Sequence, residues 1–281
     1  MLTRQVRAYK KTDKPPKHQK ALPPQVFREL KRRAVGDRAR ARADLAEGAL
    51  FFCMRSCEMS KTSNDEQRTR PIRACDVYFR KEGLIIPHNS PRLDEATHVT
   101  IVFGIQKCDE IDEPVTQDRT SDPELCPVRA WIRIIRRLRS IPKYNPSWPV
   151  FTYHNGTSIS HIKSSEIRLD IRVVVDIMGE AILGFTSKDV GTHSIRAGGA
   201  MMLYLAKQPI PTIMMLGRWH SNAFLTYIEK QVLQFSQGVS QTMLTYNTFY
   251  NIPVRPWTST DPDTHSFSAN HYLSQLLHQT L

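Results

Sequence analysis

The stretch Gly191-Thr192-His193-Ser194-Ile195-Arg196 sets an imidazole and a guanidinium three positions apart. Residues i and i+3 are neighbours on a helix, and Thr192 or Ser194 can cap a helix running to about Lys207. A helix N-terminus attracts anions, so His193, Arg196 and the first-turn backbone N–H groups together make an oxyanion-binding cluster. Downstream, residues 210–216 read as a short helix capped by Gly217, followed by Arg218, Trp219 and His220. Ser221 can cap a further helix that presents Phe224, Tyr227 and Ile228 on one side, so Tyr227 is either a core tyrosine or a reactive phenol. Two more cations stand where chemistry is possible. Arg55 follows directly on the apolar run Ala49 to Met54, and an arginine so placed needs an anionic partner. It reads either as a helical partner of Glu58 at i+3 or as an oxyanion ligand that Glu58 holds in position. Lys107 lies just past the end of a β-branched run, where a lysine is either solvated or presented to a ligand.

Taken together, these residues resemble the catalytic domain of the tyrosine recombinases, the phage-integrase type. The resemblance rests on His193-x-x-Arg196, on the turn Gly217-Arg218-Trp219, and on a tyrosine, Tyr227, about thirty residues after that arginine. It extends to Met54-Arg55-x-x-Glu58, with Cys53 where the family usually has glycine, and covers about residues 23–250. The resemblance implies DNA strand cleavage and rejoining, in recombination or integration, through a 3′-phosphotyrosine. Tyr227 would attack the phosphate, Arg55 and Arg196 would hold its oxygens, Lys107 would protonate the leaving oxygen, and His193 would assist. A sixth position precedes the tyrosine by about nine residues in the family. Trp219 is assigned to it here, His220 is second choice, and Arg218 stands at the nominal spacing. The Gly-Arg-Trp variant is similar to recombinases of eukaryotic mobile elements, which implies a nucleus where the host is a eukaryote. The acidic run Asp109 to Glu113 beside Lys107 departs from the family and leaves open a catalytically degenerate DNA-binding protein. A type IB topoisomerase uses related chemistry, but the His-x-x-Arg to tyrosine spacing argues against it.

The elements that must position these groups follow from periodicity. Residues 1–22 are basic and proline-containing and read as a linker, the remnant of an N-terminal core-binding domain. One helix is predicted from Gln25 to about Ala34, with Val26, Phe27 and Leu30 on one face, and another from Asp37 to Lys61. Strands are predicted at 76–80, 83–86 and 97–105, the last the richest in β-branched residues. A helix from Cys126 to about Ser140 carries the stripe Val128, Trp131, Ile132, Ile135 and Leu138. Arg133, Arg136, Arg137 and Arg139 on its other positions face solvent or phosphates. Asn155-Gly156 signals a turn, and a helix is predicted from Ser160 to Gly179. The small residues Ala197 to Ala200 allow another element, or DNA, to approach closely. Residues 251–281 form a tail ending in a short amphipathic helix with Tyr272, Leu273, Leu276 and Leu277 along one side. In the family such a segment docks on a neighbouring protomer, which implies a homo-oligomer on DNA. The fold class is thus mainly α with a small antiparallel β-sheet (α+β), three strands near the middle of the chain, and the catalytic domain spans 23–250.

Composition bears on partners. The chain has 281 residues and a formal charge of +12, which favours a polyanion, double-stranded DNA first. No apolar run is long enough for a transmembrane helix, and no membrane partner is expected. Five cysteines at irregular spacing form no zinc pattern and read as reduced thiols inside a cell. There is no P-loop and no carboxylate cluster suited to two metals, so neither a nucleotide, a metal nor another cofactor is expected.

Overall fold

A computed structural model describes residues 19–63, 69–104 and 113–219. Lys107, His220, Tyr227 and the tail 251–281 therefore lie outside the described residues, as do residues 1–18. The described elements are mainly helical, with two small antiparallel sheets. Helix α1 spans Pro24–Arg33 and buries Val26, Phe27 and Leu30, the stripe its sequence predicts. Before it, residues 19–22 do not hang loose as a linker. Leu22 is buried in the core, and its N–H donates to Ser194 O at 3.2 Å.

Helix α2 spans Asp37–Phe51, ten residues short of the predicted end at Lys61. The apolar run is buried as expected, but the chain turns inside it. Cys53 adopts φ 45°, its N–H bonds to Leu50 O at 3.2 Å, and Met54 N–H bonds to Ala49 O at 3.0 Å. This pair of bonds is a Schellman motif with Cys53 at the left-handed position, where a residue without Cβ is favoured. The short helix α3, Ser56–Met59, starts afresh after Arg55.

The first sheet has four strands rather than three. β1 (Val77–Lys81), β2 (Leu84–Ile86), β3 (His98–Phe103) and β4 (Glu113–Asp118) run in the order β2-β1-β3-β4, all antiparallel. Val77, Phe79, Val99, Ile101 and Phe103 alternate into the core. β4 has few β-forming residues and is not among the predicted strands; pairing along all six residues of β3, Ile101 opposite Val115 among them, overrides its weak preference. Helix α4 (Pro127–Arg139) packs its predicted stripe inward. Its arginines are tied into the protein. Arg133 pairs with Asp44 at 2.6 Å and Glu47 at 2.7 Å, Arg136 pairs with Asp94 at 2.7 Å, and Arg137 donates to Val150 O at 2.7 Å. Arg139 lies over the Tyr144 ring at 5.5 Å.

Asn155-Gly156 forms the turn between β5 (Thr152–His154) and β6 (Ile159–His161), so the next helix, α5, starts at Ser164 and not at Ser160. It runs to Met178 and is followed by the short α6, Glu180–Leu183. Helix α7 (His193–Leu205) and helix α8 (Ile210–Gly217) close the described chain. α7 lies against α2. A Cβ on Gly198 would stand 2.4 Å from Leu22 O, and one on Gly199 would stand 2.5 Å from Leu50 O. The small residues of α7 thus admit neighbouring protein segments. No described helix is long and apolar enough to cross a membrane.

Candidate active site

Arg55, His193, Arg196 and Trp219 converge where the C-terminal ends of α2 and α8 meet the start of α7. Arg196 is the centre. It is 4% exposed, one guanidinium nitrogen donates to Cys53 O, and the other donates to Gly217 O at 2.7 Å. Among the described residues these are its hydrogen bonds. Helix α8 ends as α2 does. Arg218 takes the left-handed conformation (φ 56°, ψ 53°), its N–H bonds to Met215 O at 3.1 Å, and Trp219 N–H bonds to Met214 O at 2.9 Å. The left-handed residue is therefore Arg218, not Gly217. Both carbonyls that hold Arg196 belong to these two helix ends, where the helix dipole is negative and favours a cation.

The remaining carbonyls at the end of α2 are also satisfied, as a buried helix end requires. Gln117 of β4 donates to Phe51 O at 2.7 Å, and Arg218 donates to Phe52 O at 3.1 Å. The sheet, α2 and α8 are thereby fixed to one another at the corner that carries Arg55. At that corner Arg55 is the N-cap of α3, and Glu58 closes back on it. The Arg55 N–H meets Glu58 Oε2 at 2.7 Å and the guanidinium meets Oε1 at 3.0 Å. The i+3 pair with Glu58 forms, and the Arg55 side chain stays 20% exposed while Glu58 is 1% exposed.

Trp219 lies on Arg196, with the guanidinium carbon 4.2 Å from the ring centroid. The ring in turn rests on Gly217, where an added Cβ would fall 1.7 Å from a ring carbon. His193 is exposed at the first position of α7. Desolvation by the surrounding protein and the nearby Arg196 charge push its pKa below the ordinary value of 6.5. Burial, and then the charge of Arg218, pull the Arg196 guanidinium down to about 10. Among the described residues, three guanidinium groups, Arg55, Arg196 and Arg218, thus lie around the carboxylate of Glu58.

Sequence reasoning missed the burial of Arg218. Its side chain is 0% exposed and pairs with Glu58 at 2.9 Å. Nothing local in Gly217-Arg218-Trp219 signals this, since the partner is distant in sequence. Beside His193, a backbone bridge sets Lys61 against Lys163; with Arg168 and Thr192 they line an open cavity of about 370 Å³. No metal-holding cluster of His, Cys, Asp or Glu is found among the described residues.

Neither a protein-family model nor a curated protein matches the chain. Solved structures do. The XerH site-specific recombinase bound to its difH substrate, in a pre-cleavage complex, matches with a TM-score of 0.53 at 15% identity, over 84% of this chain and 56% of that one. XerH in a post-cleavage complex on palindromic difH matches with a TM-score of 0.51 at 15% identity, over 82% of this chain and 54% of that one. The chain therefore spans a little over half the length of that recombinase. At this identity the likeness is one of fold: the chain has the fold of a tyrosine recombinase catalytic domain.

Proposed function

We propose that this chain breaks and rejoins DNA strands by transesterification at a tyrosine, with residues 23–250 as the catalytic unit. The observation that carries the proposal is Arg196, a buried guanidinium held between two helix ends beside Arg55, Trp219 and His193. Phosphoryl transfer asks a protein for positioning and for stabilisation of charge on the non-bridging oxygens. The planar fork of arginine suits two such oxygens. Burial removes competing water and strengthens each contact. A phosphate arriving at Arg196 would offset the burial and the Arg218 charge that lower its pKa.

In the mechanism, Arg55 and Arg196 each hold a non-bridging oxygen of the scissile phosphate. The Tyr227 oxygen attacks phosphorus in line, its proton passes to a base, and the bond to the 5′-oxygen breaks. Lys107 protonates that oxygen, which leaves as a 5′-hydroxyl. The strand stays attached through a 3′-phosphotyrosine, and attack by a 5′-hydroxyl reverses the step and rejoins DNA. His193, with its lowered pKa, is neutral near pH 7 and can accept a proton or donate one hydrogen bond. Trp219 fixes the plane of Arg196. The Lys61, Lys163 and Arg168 cavity suits the flanking backbone phosphates. The protein acts as a homo-oligomer on DNA, and the bond energy kept in the phosphotyrosine makes an external energy source unnecessary.

The test is adduct formation on nicked duplex DNA of mixed sequence, read on denaturing gels. The wild-type chain should form a covalent adduct, and Arg55→Ala or Arg196→Ala should each slow it on the order of 10²-fold or more. Adduct formation at wild-type rate in both variants would overturn the assignment of the phosphate site. Salt-sensitive DNA binding with no adduct would favour the degenerate DNA-binding protein.

A further inference from the structure

Arg218 stands at the spacing before Tyr227 where the recombinases carry their sixth catalytic residue, yet its geometry suits a different task. One guanidinium nitrogen meets Glu58 Oε2 at 2.9 Å; the other donates to Phe52 O at 3.1 Å and Leu216 O at 3.2 Å. The guanidinium carbon lies over the Phe103 ring, 3.5 Å from its centroid. Its side chain is 0% exposed, whereas that of Arg55, the other guanidinium on Glu58, is 20% exposed. Of the two cations that share this carboxylate, Arg55 is the one an incoming anion can reach.

We infer that Arg218 is a positioning residue: it occupies Glu58 Oε2, limits the hold of Glu58 on the Arg55 guanidinium to Oε1, and so keeps this carboxylate from drawing Arg55 away from a phosphate. This rests on the phosphate-site reading above. A carboxylate favours bidentate pairing with arginine, and the Arg55 backbone N–H already brings Oε2 within 2.7 Å. Without Arg218, Arg55 is the guanidinium left on the buried Glu58 among the described residues, and the carboxylate draws it in with both oxygens. The phosphate then competes with an internal carboxylate for Arg55. A charge at position 218 is what the device needs; the forked shape matters less, because Arg218 does not touch the phosphate.

The test is a cycle of full-length variants, Arg218→Lys, Arg218→Gln, Glu58→Gln and the double Arg218→Gln/Glu58→Gln. Two readouts apply: the single-turnover rate of adduct formation on nicked duplex, and affinity for inorganic phosphate by thermal shift. Arg218→Lys should keep the rate within about five-fold, and Arg218→Gln should lower it about 10²-fold. The double variant should recover at least about ten-fold over Arg218→Gln, because the competing carboxylate is gone. Phosphate affinity should follow the same order. A merely structural role predicts losses that track the melting temperature and a double variant worse than either single one. Direct contact with phosphate predicts Arg218→Lys and the double variant as slow as Arg218→Gln. Either pattern overturns the inference while leaving the phosphate site standing. A wild-type chain that forms no adduct but binds phosphate overturns strand cleavage, and the phosphate cycle still decides the role of Arg218. Binding neither overturns both.

Discussion

At the residue scale, Trp219 owes its place to Gly217. The ring fills the space a side chain at 217 would need, and the Arg196 guanidinium carbon lies over it, 4.2 Å from the centroid. Gly217→Ala should therefore expel the ring without straining the backbone, since Gly217 ends a helix with ordinary φ. A cation–π contact of this kind is worth about 1–2 kcal/mol when desolvated. The adduct rate should fall on the order of ten-fold, with the melting temperature changed little; an unchanged rate would remove Trp219 from the site. Much of the local geometry of the candidate site was legible at this scale. His193, Arg196, Arg55 and Glu58 are arranged by local spacing, and local spacing can be read from a sequence. The role of Arg218 was not legible, because its burial is set by Glu58, Phe52 and Phe103, all remote in the chain.

At the scale of elements, two helix ends build the site. The Schellman turn at Cys53 aims its carbonyl at Arg196 and stops α2 short of Arg55, which lets Arg55 cap a new helix. Hydrophobic pattern predicted the burial of residues 49–54 but not this stop, because cysteine carries no turn signal and both helix and turn leave the run apolar. Likewise β4 was hidden by its polar composition, whereas Asn155-Gly156 announced its turn, though not the short strands beside it, through turn chemistry. The Cys53 conformation gives a test by melting temperature. Cys53→Gly removes the cost of a left-handed residue, about 1–2 kcal/mol, and loses a buried thiol of similar worth, so stability should change by less than about 1 kcal/mol. Cys53→Val puts a β-branched residue at φ 45° and should cost more than about 2 kcal/mol. Equal stabilities for the two variants would contradict the turn.

At the scale of the whole molecule, charge and titration set the working conditions. The formal charge of +12 and the cavity lined by Lys61, Lys163 and Arg168 suit a polyanion bound in a salt-dependent way. Three histidines have pKa values below the usual 6.5. Burial lowers that of His88; burial and then Lys61 lower that of His161; burial and then Arg196 lower that of His193. The unfolded chain therefore binds protons near pH 6.5 that the folded chain refuses. The stability these histidines allow is complete above that pH and is lost as pH falls through it toward 5. The melting temperature should drop over that window, and His88→Gln should flatten the drop; a melting temperature independent of pH between 7 and 5 would contradict it. The central claim is that this fold presents a DNA phosphate to Tyr227. Its most direct test is to trap the adduct on nicked duplex, digest protein and DNA, and locate the nucleotide remnant by mass spectrometry. The account predicts a 3′-linked remnant on Tyr227 and none in Tyr227→Phe. A remnant on Tyr246, Tyr250 or any other residue would contradict it.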